Sequence, residues 1–204
     1  MQLLVNKMIK NTFKNKYGFS LIETMIAVSI LMIAIAGPLS LVQAGLFSSN
    51  HQRNQVTAIY LAQEALEYIN NLRGTNYYKQ FDPNDNSNIL SVSWLEAINS
   101  NRVVGNLTDS AFCGGHGCYV DPKSNYIQHI DSNLEALYQN SDGFYGYRSE
   151  SSTYDKPSPY TRVVVVTPIT SDEVTVTVTV SWNDGALPRS YTVSEDIFND
   201  YNYE

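Results

Sequence analysis

From Met25 to Val42 the chain runs 18 residues without a charge, about the length a helix needs to cross a hydrocarbon core. No other feature limits the fold so severely, because inside lipid a segment can satisfy its own backbone groups only as a helix or as part of a closed barrel. On its N-terminal side lie Lys7, Lys10, Lys14 and Lys16 with no acidic residue among them, a bias that keeps such a leader cytoplasmic and points the rest outward. Between leader and apolar run sits Gly18-Phe19-Ser20-Leu21-Ile22-Glu23. Its lone carboxylate falls at the cytoplasmic edge of the span, where an ionised group costs on the order of 3 kcal/mol and so marks a functional position in need of a cationic partner. An ordinary secretory signal would place a small-residue cleavage site after the apolar core, loosely in Ala36 to Ala44. A plain signal anchor would account for the lysines and the helix. Neither explains Glu23, nor the aromatic beside the glycine.

Over residues 15 to 45 the sequence resembles the class III signal of type IV prepilins and type II secretion pseudopilins, with Gly18-Phe19-Ser20-Leu21-Ile22-Glu23 carrying the likeness. The resemblance implies a cut between Gly18 and Phe19 by a membrane aspartyl peptidase on the cytoplasmic side. The same enzyme would then methylate the new amine of Phe19. Glu23 becomes the fifth mature residue, which in that family pairs with the N-terminal amine of a neighbouring subunit. A carboxylate and an ammonium lined by acyl chains each lose solvation and recover it only in each other, far more strongly than in water. The implied partners are the prepilin peptidase and methylase, other pilin or pseudopilin subunits, an inner-membrane assembly platform, and membrane lipid before assembly. The implied location is a single pass through the cytoplasmic membrane with the C-terminal part outside, then a surface filament or pseudopilus.

Taking the leader's four lysines from the 13 basic residues leaves 9 against 20 acidic ones, a balance of −11 for the mature chain. Nucleic acid is not an expected partner, since phosphate binding needs clustered Lys and Arg. About 155 residues follow the anchor, enough for one domain with a modest core. The 15 tyrosines suit a surface that meets partners or glycans.

Past Phe47 the apolar positions Val56, Ile59, Ala62, Leu66 and Ile69, with the parallel line Ala58, Leu61, Ala65 and Leu72, recur at helical spacing among Gln52, Arg53, Gln63, Glu64 and Glu67. Arg73-Gly74 reads as the stop, a basic last turn followed by glycine. A helix continuous from Phe19 to Arg73 would be roughly 80 Å long at about 1.5 Å per residue. Gly37-Pro38 should interrupt it as a kink or a melted segment, because proline lacks a donor and clashes with the preceding turn.

Residues 75 to 158 are rich in Asn, Asp, Ser, Gly and Pro, with two short helix-like runs, Val92 to Asn99 and Leu134 to Gln139. This resembles the variable connection of pilins. Asp82-Pro83-Asn84-Asp85-Asn86-Ser87-Asn88 superficially resembles a calcium loop but has Ser87 where the turn needs glycine and Ser93 where a bidentate Glu belongs. Turn chemistry is the simpler account. Cys113-Gly114-Gly115-His116-Gly117-Cys118 allows a disulfide worth about 2 kcal/mol outside the cytoplasm, two free thiols, or a metal site one ligand short of a closed zinc shell. Asn106-Leu107-Thr108 matches a glycosylation sequon, a pattern short enough to arise by chance.

The last third is strand-rich. Arg162-Val163-Val164-Val165-Val166 lies within Tyr160 to Thr167, and from Glu173 to Trp182 Val174, Val176, Val178, Val180 and Trp182 alternate with Thr175, Thr177, Thr179 and Ser181. Thr170-Ser171-Asp172 and Asn183-Asp184-Gly185 supply the turns of an antiparallel meander ending near Ser190 to Val193. Its apolar face needs a cover, which the helix over 56 to 72 supplies. The expected fold is an α+β pilin-like ladle: a cleaved leader (1–18), a membrane or filament-core helix (19–47), its amphipathic continuation (48–74), a loop-rich region (75–158) and a β-meander (159–204). The Val-x-Val-Ser-Trp tail also resembles minor pilins of the V type and pseudopilin I.

His51, His116 and His129 invite a catalytic reading, but no nucleophile elbow, zinc-protease helix, phosphate loop or paired-carboxylate motif accompanies them. The expectation is a filament subunit with no cofactor, minor rather than major given the long insert and the six-residue cysteine ring. The alternatives are a membrane-anchored surface binding protein or adhesin outside any filament, and an enzyme.

Overall fold

One helix, α1, spans Leu21–Gln80 in the computed structural model, which describes residues 18–80, 93–99, 102–107, 113–131, 133–147 and 155–199. The leader lysines and residues 82–88 lie outside the described residues. The chain divides into two compact units, Met1–Ser49 and Asn50–Glu204.

In the first unit every described residue is exposed, and the helix here is long and apolar enough to cross a membrane. Pro38 lies inside it, so the Gly37-Pro38 segment is helical rather than melted. Proline takes the donor from the Ala34 carbonyl. Hydroxyls nearby bond to the helix itself: Ser29 Oγ donates to the Met25 carbonyl and Ser40 Oγ to that of Gly37, both at 2.8 Å. Back-bonding of this kind keeps polar side chains satisfied where water is absent.

In the second unit α1 buries Ala58, Leu61, Ala62, Ala65, Leu66, Ile69 and Leu72. Three alanines on that face let the helix backbone come close to a sheet. Val56 is half exposed, so the inward stripe is narrower than its spacing suggested. The expected stop at Gly74 is not used: α1 continues to Gln80. Fully buried Asn76 explains the extra turns, donating from Nδ2 to the carbonyls of Trp94 (3.2 Å) and Glu96 (2.8 Å).

The strands are β1 (Glu96–Asn99), β2 (Arg102–Asn106), β3 (Cys118–Asp121), β4 (Tyr126–His129), β5 (Ala136–Gln139), β6 (Tyr145–Gly146), β7 (Lys156–Pro168), β8 (Glu173–Asp184) and β9 (Leu187–Phe198). Both helix-like runs read from the sequence are thus corrected, since 96–99 and 136–139 are strands. β1 and β2 form an antiparallel pair. The other strands make a seven-stranded sheet in which β7 is the hub. Along one edge it pairs with β8, Thr161 opposite Ser181 through Pro168 opposite Val174. Its other edge takes β5 at Lys156 to Thr161 and β3 at Val164. β9 flanks β8 over its whole length, so the meander runs on past Val193 to Phe198, and the segment expected to be loops contributes four strands to the same sheet.

Period two sets the faces. Val174, Val176, Val178, Val180 and Trp182 are buried from β8, and Tyr160, Arg162, Val164 and Val166 from β7; each such Val contributes about 1.5–3 kcal/mol. On the opposite face Thr177 and Thr179 meet Ser194 and Thr192 of β9 at 2.9 and 3.1 Å. Gly185, at φ +62°, makes the tight β8–β9 turn.

Candidate functional site

Gly18, Phe19 and Ser20 precede the helix, and Glu23 stands in its first turn. The turn is fastened locally: Thr24 N donates to the Ser20 carbonyl at 3.2 Å and Thr24 Oγ1 to that of Leu21 at 2.8 Å. Phe19 is 80 % exposed, and Leu21, Ile22, Met25 and Ile26 are exposed with it. The geometry is therefore a junction open on all sides, followed by an apolar rod that a single copy leaves uncovered. An exposed apolar surface of this extent is stable only against lipid or other apolar surfaces.

Cys113 and Cys118 are bonded to each other, with Cα atoms 4.9 Å apart. Of the readings left open by the sequence, free thiols and a thiolate metal site are thereby excluded. The ring extends the sheet, as Val166 N donates to the Cys113 carbonyl and Ile130 N to that of Gly117, each at 3.0 Å. Gly117 has φ +84°, and a Cβ there would lie 2.7 Å from Val163 Cγ1 and 2.8 Å from the Val164 carbonyl oxygen, so the ring seats on β7 only with glycine at this position. Asn106 and Leu107 are at the end of β2 and just after it; Thr108 of the sequon is outside the described residues.

Two arrangements escaped the sequence reading. Arg162 is fully buried, donating from one terminal nitrogen to the Leu61 carbonyl (3.0 Å) and Glu64 Oε2 (2.7 Å) and from the other to the Val120 carbonyl; its Nε has no partner. Tyr147 Oη donates to the Arg162 carbonyl at 3.0 Å, and burial pushes its own hydroxyl pKa up. The signal was present in the sequence, since Arg162 shares the parity of Val164 and Val166. The second is at the start of the domain helix, where His51 Nδ1 meets Asp184 Oδ2 at 2.5 Å and Asn54 Nδ2 donates to Asp184 Oδ1 at 2.8 Å. Hydrogen bonds from His51 and Asn54 hold the Asp184 carboxyl below its usual range. Nothing in a turn sequence Asn-Asp-Gly announces this pairing across 133 residues. Both oxygens of Asp184 are engaged and both cysteines are oxidised, which leaves these groups structural.

A membrane-length apolar helix carrying a Gly-Phe junction and leading into a helix-on-sheet domain defines a pilin-like architecture. Residues 13–37 match the family model of the prokaryotic N-terminal methylation motif, in keeping with the resemblance of this segment to the signal of type IV prepilins and pseudopilins. No curated protein and no solved structure matches the chain. The motif points to a structural protein rather than an enzyme.

Proposed function

We propose that the chain is a minor pilin or pseudopilin, a structural subunit of a type IV pilus-like or type II secretion filament. One observation carries this reading: the methylation motif at residues 13–37 heads a helix whose described residues 21–49 are all exposed in the single chain. In this reading the leader stays cytoplasmic, the peptidase cuts between Gly18 and Phe19, and the amine of Phe19 is methylated. The span then waits in the inner membrane until the assembly platform extracts it into a bundle of like helices, the domain remaining outside the cytoplasm. Pairing of Glu23 with a neighbour's N-terminal amine neutralises both charges at low dielectric and sets the stagger between subunits. Gly37 and Pro38 form the weak point at which the helix bends or loosens on entry.

Glu23→Ala tests the central step. Cleavage and membrane insertion should persist, while the amount recovered in sheared filaments falls at least tenfold in cells lacking the parent copy. Recovery at the parental level would sink the assembly role.

A further inference from the structure

The disulfide ring does more than extend the sheet, because it carries His116 on its exposed side and sets it beside His129 at the end of β4. The two rings lie 6.4 Å apart between centres, at 64° to one another. Neither position is left to chance. His129 is the cross-strand partner of Cys118, and the very next amide, Ile130 N, is the one bonded to the Gly117 carbonyl. The ring's own turn is closed by Gly117 N donating to the Gly114 carbonyl at 3.0 Å. Backbone bonds on both sides thus hold two imidazoles on one patch.

We propose that His116 and His129 form an exposed two-imidazole site for a divalent transition ion, copper(II) above all. A metal sits about 2.0–2.1 Å from a coordinating imidazole nitrogen, hence about 3.2 Å from the ring centre, so two imidazoles sharing one ion have centres from about 4.5 Å apart at a right angle to about 6.4 Å apart when opposed. The observed separation is at the open end of that interval, and a rotation of the exposed His116 closes it. Among the described residues no three His, Cys, Asp or Glu side chains converge as they stand, so the site is two-pronged and open. Water completes it, and Asp131, whose Oδ1 is 3.9 Å from His129 Nε2, is near enough to turn in. The donor set selects the ion. Calcium and magnesium require oxygen ligands, the soft thiolates are consumed in the disulfide, and imidazole favours copper, nickel and zinc in the order that puts copper(II) highest. A chain carrying −7 overall also draws cations toward its surface.

The test is a copper(II) titration of the full chain in detergent micelles, followed by electron paramagnetic resonance. Expected is one saturable equivalent with nitrogen hyperfine structure, weakened at least tenfold by His116→Ala and by His129→Ala and unchanged by His51→Ala. Because His116 is exposed, its variant should keep the fold and the disulfide, which circular dichroism and intact mass verify. The proposal is overturned if the parent shows no saturable copper, if the His116 variant binds as tightly as the parent, or if His51→Ala removes the signal.

Discussion

Arg162 shows what one residue can fix. A buried guanidinium is tolerated when its charge is paired and its terminal nitrogens are hydrogen-bonded, and here, Nε apart, the helix supplies the Leu61 carbonyl and Glu64 while β3 supplies the Val120 carbonyl. The charge therefore ties three elements at one point. Asp184 plays a smaller part of the same kind at the β8–β9 turn, and its depressed pKa has a measurable sign. In the unfolded chain the carboxyl titrates near 3.8, whereas the folded one holds its charge to lower pH. The stabilisation is complete above the unfolded value and is lost as pH falls through the folded one. Asp184→Asn should accordingly flatten the fall in melting temperature between about pH 4 and pH 2 while lowering the midpoint at pH 7. Equal acid slopes in parent and variant would show that His51 and Asn54 do not hold the carboxylate.

At the scale of elements, the pairing of α1 with β7 and β8 makes the sharpest claim. Ile69 and Val178 are both fully buried, and an unpaired charge at either costs several kcal/mol against a total of about 5–15. Ile69→Asp or Val178→Asp should abolish the cooperative melt of the Asn50–Glu204 unit, read by circular dichroism; parental melting in both would disprove helix-on-sheet packing. These two elements were legible because their periods run long: several helical turns from Ala58 to Leu72, and five alternations from Val174 to Trp182. The helix end was not. Arg73-Gly74 has the residues of a stop, but Asn76 finds carbonyls 18 and 20 residues away that outweigh it. β3 to β6 were unreadable for a related reason, as strands of two to four residues show at most two alternations and owe their existence to pairing with β7 or with each other. The methylation motif, by contrast, was legible, since its signal is written in the contiguous residues 13–37.

For the whole molecule, mass spectrometry of the membrane-extracted protein should find an N-terminus at Phe19 carrying one added methyl group; an intact Met1, or a start near Ala44, would remove the prepilin reading. A chain shortened to begin at Asn50 should remain soluble and folded, because the unit Asn50–Glu204 has its own core. Helix α1 belongs to both units, and that imposes a timetable on biosynthesis. The face at Ala58 to Leu72 is made early, yet its cover, β8, begins at Glu173, about a hundred residues later. At roughly 5–20 residues per second, that face waits about 5–20 seconds for its partner. Building it on Ala58, Ala62 and Ala65 keeps the apolar area on show during that interval small, so the sequence limits what a half-made chain offers to its neighbours.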